Sequence, residues 1–169
     1  MTKSELLELA AALMAAVQRG DTDTVKALYA ADITLWHTND RVNQTSEDSI
    51  RTLSWIKRHV AGVRYEELRV AALDDGFVQQ HVMRADSPKV DMPCMLRVWC
   101  ANGRITRIEE YFDSADAAPI IQHIAYIREQ QRLSRAEDKP GAAGSAAASD
   151  RARCRADVMK NRKIGHDII

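Results

Sequence analysis

The spacing of apolar residues changes partway along the chain, and that change limits the possible folds more than any other feature. Up to Gly62 large apolar side chains recur every three or four residues, whereas from Val63 to Asp113 the spacing shortens toward two. The first spacing lines one face of a helix and the second lines one face of a strand. Turn signals at Asp74-Asp75-Gly76, Ser87-Pro88 and Asn102-Gly103 divide the second region into four strands joined by hairpins. Helices followed by a meander describe an α+β domain, in which a curved antiparallel sheet packs on helices.

The helical half has clear punctuation. Thr2 with Glu5 forms a capping box, Leu6, Leu9, Leu13 and Val17 follow at helical spacing, and Gly20 stops the helix. Asp21 or Thr22 caps a short second helix through Val25, Leu28 and Tyr29, after which ITLWH reads as a strand. Thr45 with Asp48 opens a third helix carrying Ile50, Leu53, Ile56 and Val60 and closed by Gly62. After the strands, Asp116 and Pro119 start a last helix through Ile120, Ile124, Ile127 and Leu133.

Near Lys139 the pattern ends in KPGAAGSAAAS, which offers no apolar face to bury. We therefore expect one folded domain over 1–135 and a disordered tail over 136–169. Basic and acidic side chains balance at 24 each, so no excess of positive charge is available to attract phosphate, and nucleic-acid binding is not expected. No apolar run reaches the ~20 residues that cross a bilayer, and Glu5 and Glu8 interrupt the region where a secretory signal would be apolar. The expectation is a cytoplasmic protein with no membrane partner. Cys94, Cys100 and Cys154 form no CxxC pair and read as reduced thiols.

Two segments carry a family resemblance: GDTDTVKALYAADITLWH, a helix stop, short helix and strand start, and NGRITRIEEYFD, a closing hairpin. Together they resemble the nuclear-transport-factor-2-like superfamily, and within it the SnoaL-like proteins, over roughly Glu5 to Ala125. The resemblance implies a cone-shaped α+β fold, its curved and mostly antiparallel sheet wrapped around N-terminal helices and followed by a C-terminal helix. It further implies a deep apolar pocket for a hydrophobic small molecule, dimerisation through the outer face of the sheet, and no metal or organic cofactor.

Enzymes of the superfamily supply comparisons by position. In ketosteroid isomerases a carboxylate ends the first strand, where this chain has His37, and the oxyanion donors fall on Ala12 and Met95, which cannot act as such. In limonene-epoxide hydrolases a triad of aspartate, arginine and aspartate acts on water and epoxide; its positions here are Asp113, His81 and Met83. The resemblance implies isomerase, cyclase or hydrolase chemistry on a polyketide-, terpenoid- or steroid-like substrate; a non-catalytic binding or dimerisation module is the alternative.

Read as chemistry, His37, His81 and Asp113 converge if the sheet curls, and an imidazole beside a carboxylate is a general base near neutral pH. Trp36 and Asn39 are expected at the pocket mouth, with Met83, Met95, Trp99 and Tyr111 contacting substrate. Alternation places Glu109, Tyr111 and Asp113 on one face, with Glu109 an outward charge pairing with Arg97 or Arg107. No HxH, HExxH or Cys-His spacing marks a metal site.

Overall fold

The computed structural model describes residues 1–137, and the expected tail lies outside the described residues except for its first two positions. The order of elements is α1 (Lys3–Arg19), α2 (Thr22–Leu28), β1 (Tyr29–His37), α3 (Ser46–His59), β2 (Arg64–Leu73), β3 (Gly76–Asp86), β4 (Lys89–Ala101), β5 (Arg104–Phe112) and α4 (Ser114–Glu137). Every strand joins one five-stranded sheet in the order β1-β5-β4-β3-β2. The hairpins of β2 to β5 are antiparallel, and β1 adds to β5 in parallel.

The caps follow the sequence closely. Thr2 and Glu5 bond reciprocally at the start of α1, Thr45 and Asp48 do the same for α3, and Asp21 caps α2. Gly20 ends α1 at φ 63, a left-handed conformation that costs glycine little. Three boundaries differ from expectation, the first being the end of α3, which stops at His59 with Val60 as its extended cap rather than continuing to Gly62. Tyr29 begins β1 rather than ending α2, and its buried phenol lies 3.3 Å from Ser49 Oγ. The last helix begins at Ser114, because Asp113 accepts a bond from the Ala115 amide and caps it; Pro119 sits inside α4.

Alternation sorts the sheet into two faces. Even residues of β4 (Val90, Met92, Cys94, Leu96 and Val98) are buried toward the helices, as are odd residues of β3 from Phe77 to Ala85. One core cluster joins α1, α2 and β1 to Phe77, Leu96, Val98 and Ile108; a second joins α4 to Met83, Met92 and Cys94. Bulges interrupt β2 between Glu66 and Arg69 and the β4–β5 pair at Trp99/Cys100. Such irregularities increase local twist and bend the sheet over the helices. At the β2–β3 turn a Cβ on Gly76 would meet the Val98 carbonyl oxygen at 2.0 Å, so only glycine allows this approach. Among the described residues no helix is long and apolar enough to cross a membrane.

Candidate functional site

A cavity of about 110 Å³ lies between the inner face of the sheet and helices α3 and α4. Its apolar wall includes Met83 and Met92 from the sheet, Ile56 from α3, and Ile120 and Ile124 from α4. Polar groups enter from His37, Gln44, Tyr65 and Glu110.

Glu110 is the centre of this arrangement. Ile108 and Phe112 share its inward parity on β5, so strand geometry carries a carboxylate into an otherwise apolar row. One oxygen, Oε2, lies 3.5 Å from His37 Nε2, and the other, Oε1, lies 3.8 Å from His81 Nε2. His37 shares the cavity wall, whereas His81 stands behind Glu110 with a side chain only 2% exposed. Gln79 Nε2 lies 3.4 Å from His81 Nδ1, and the Tyr65 ring meets the imidazole edge-on at 5.4 Å between centroids.

Burial sets the protonation states around this carboxylate. It pushes the His81 pKa down, against the opposing pull of Glu110, so that the imidazole is held neutral. It pushes the Tyr65 phenol up, and the charge of Glu110 adds to the effect, so that Tyr65 stays a hydrogen-bond donor. Cys94 is raised in the same way, and its thiol donates to the Met92 carbonyl at 3.4 Å.

Both histidines approach a carboxylate, but it is Glu110; the expected convergence of His37 and His81 with Asp113 is not formed. Asp113 is exposed past the end of β5, where it caps α4 and stands clear of the cavity wall. The remaining differences come from strand parity. Met83 points inward and lines the cavity, but Met95, Trp99 and Tyr111 occupy outward positions. Met95 is 43% and Tyr111 44% exposed, Trp99 lies under the Arg97 guanidinium, and Trp36 packs against Tyr111 at 5.4 Å. Trp36 and Asn39 thus do not form the cavity mouth; Asn39 lies in the turn after β1. Glu109 is the outward charge anticipated, bonded to Arg107 and to the Tyr111 hydroxyl.

Sequence reasoning missed Glu110, Tyr65 and Gln44. A signal for Glu110 was available in Ile108-x-Glu110-x-Phe112, where the two apolar neighbours two residues away mark its face as the buried one. Tyr65 and Gln44 had no comparable mark. Histidines on the helices serve packing: His123 Nε2 lies 3.0 Å from the His59 carbonyl, and both rings meet Trp55.

A curved sheet of this order over an N-terminal helical layer, with a closing helix beneath, is the nuclear-transport-factor-2-like fold. The chain belongs to the SnoaL-like domain family, which matches residues 10–108. Solved structures of similar fold include an LEH-like epoxide hydrolase from M. tuberculosis, with 20% identity and a TM-score of 0.59 over 76% of this chain and 98% of that one. A candidate polyketide cyclase from Xanthomonas campestris pv. campestris has 19% identity and a TM-score of 0.56 over 70% and 98% of the two chains. A protein of ketosteroid isomerase-like fold from Catenulispora acidiphila, in complex with trimethylamine, has 16% identity and a TM-score of 0.58 over 64% and 88%. At these identities the likeness is one of fold. No curated protein matches the chain in sequence.

Proposed function

We propose that the protein binds a small, mostly apolar molecule in the cavity and moves a proton on it, with Glu110 as the base. The observation that carries this reading is a carboxylate set into an apolar wall between two imidazoles. His37 orients Oε2 and shares the proton, while the protonated Tyr65 phenol supplies a hydrogen bond to negative charge developing on the guest. Isomerisation, cyclisation and water addition each require this pairing of base and donor. The same chemistry is consistent with the epoxide hydrolase and polyketide cyclase among the structures of similar fold.

Volume limits the guest. An apolar protein cavity of ~150 Å³ holds benzene, so about 110 Å³ suits a small cyclic ketone, lactone or epoxide. A whole polyketide, terpenoid or steroid skeleton exceeds it and would place only its reacting end here. The rest would lie in the neighbouring groove of about 290 Å³, which shares Leu53, Ile56 and Tyr65 with the cavity.

Deuterium exchange at the carbon next to the carbonyl of small cyclic ketones, followed by NMR in heavy water, tests the reading. The expected result is exchange accelerated by the protein and lost in Glu110→Gln, together with a thermal shift on ketone binding that the variant retains. Equal exchange by the variant would remove Glu110 from the chemistry. Binding without exchange would favour the non-catalytic module, a reading supported by the deep burial of His81, which shields it from the cavity.

A second copy of the chain is the partner proposed for the outer face of the sheet. Met95, Tyr111, Pro93 and Val82 supply apolar surface there, and Arg107 with Glu109 supplies paired charge at its border.

A further inference from the structure

At and behind the cavity wall, a ring nitrogen of His81, Cys94 Sγ and a carboxylate oxygen of Glu110 all lie within 4.8 Å of one another. The cluster comes from three adjacent strands: His81 pairs with Cys94 across β3 and β4, and Glu110 lies two residues from Phe112, the β5 partner of Cys94, on the same inward face. We infer that this interior cluster is a binding site for a divalent transition-metal ion of the zinc class.

Imidazole nitrogen, thiolate sulfur and carboxylate oxygen are the ligands zinc takes. Bond lengths of 2.0–2.3 Å place two ligands on one tetrahedral ion ~3.3–3.8 Å apart. The 3.8 Å between His81 Nε2 and Glu110 Oε1 is a few tenths of an ångström wider than the ~3.3–3.5 Å a nitrogen and an oxygen take on one ion, and no pair in the cluster must close by more than about 1.5 Å. Charge also balances, since one thiolate and one carboxylate neutralise a divalent ion and leave no net charge to bury.

The unpartnered atoms supply a second, independent argument. His81 Nε2 and Gln79 Oε1 are both buried without a hydrogen-bond partner, a costly state for polar atoms in a native interior. Turning the Gln79 amide over lets Oε1 accept a proton held on His81 Nδ1, which leaves the Nε2 lone pair free to face Glu110 and Cys94. The turned amide satisfies Gln79 Oε1, and one ion at that point satisfies His81 Nε2. A carbonyl oxygen orienting a metal-bound histidine from behind is the usual arrangement of such sites. Gln79, 1% exposed, is accordingly a positioning residue. The neutral imidazole that burial favours is the form that coordinates, whereas the thiol, raised by burial, must release its proton on binding.

The site shares Glu110 with the proposed proton transfer, so an ion on Oε1 and a proton shuttled by the same carboxylate exclude one another. Zinc should therefore inhibit the ketone exchange. Cobalt(II) titration of the full chain carrying Cys154→Ser, without any organic guest, tests the inference by itself. The expected spectrum has one equivalent of cobalt with visible four-coordinate bands, a water completing the three protein ligands, and a near-ultraviolet thiolate-to-cobalt band, both displaced by zinc. Cys94→Ser in that background should remove the thiolate band, and Gln79→Leu should keep it while weakening affinity about 10- to 100-fold. If Cys94→Ser does not fold, His81→Ala carries the same test through loss of the four-coordinate bands. Absence of a thiolate band in the Cys154→Ser chain, or its survival without Cys94, overturns the site and leaves the cavity reading standing.

Discussion

His37 and Glu110 are Cα partners in the parallel ladder between β1 and β5, and this pairing brings Nε2 and Oε2 to 3.5 Å. Neither side chain belongs to a local motif. Their meeting depends on β1 joining the meander beside its last strand, so the site is a product of topology and register. The following outcomes test different parts of that arrangement.

Asp113→Ala should cost about 1 kcal/mol of stability through the lost α4 cap and leave ketone exchange within about twofold of the parent, well inside one pKa unit's worth of free energy. Denaturant unfolding and the NMR exchange assay measure the two effects. Loss of exchange in a folded Asp113→Ala protein would return that carboxylate to the mechanism.

Ile120→Trp should fill the cavity from α4 and abolish the thermal shift given by small ketones, with a stability change of no more than ~3 kcal/mol from overpacking. An undiminished shift would place the guest elsewhere, for instance in the groove beside α1.

Stability should fall in alkali. Burial raises the Tyr29 phenol to about 12, with the Ser49 hydrogen bond opposing and the Glu110 charge reinforcing the shift. Since the unfolded phenol titrates near ~10, stabilisation by the neutral form is complete below that pH and is lost as pH rises through about 12. The loss attributable to this side chain is roughly 2 kcal/mol. Tyr65, also raised, acts in the same direction, so the measurement is the difference between the parent and Tyr29→Phe in guanidinium unfolding at pH values around 9 and 12. Parallel curves for the two proteins would contradict the assignment.

Met95→Glu should convert a dimer to a monomer in sedimentation velocity while leaving the ketone shift intact, because position 95 faces away from the cavity. A parent protein that sediments as a monomer would remove the partner proposed for that face.

Helix caps and hairpin turns were legible because they depend on residues close together in the chain. Thr2 with Glu5, Thr45 with Asp48, and the breaks at Asp74-Asp75, Ser87-Pro88 and Asn102-Gly103 all lie where expected. The two histidines of the site were legible as candidates for the same reason, since an ionisable group among apolar strand residues stands out. Which carboxylate they meet was not legible. Phe112 is the last residue of β5 and Asp113 already belongs to the cap of α4, so the end of the strand decides between two acidic neighbours three residues apart. Parity misplaced Met95, Trp99, Tyr111 and Trp36 as substrate contacts, because composition gives no indication of which face of a strand turns inward.

The helix that roofs the cavity brings only Ala117, Ile120 and Ile124 to it, spaced at three and four residues along one stripe of α4. On the proposed function, guest size would be set in large part from α4, whereas the reacting groups His37, Tyr65 and Glu110 come from the strands. Changes along that stripe can admit broader molecules while the carboxylate, phenol and imidazoles on the strands keep their places, an organisation that would let a lineage vary what it accepts without rebuilding how it reacts.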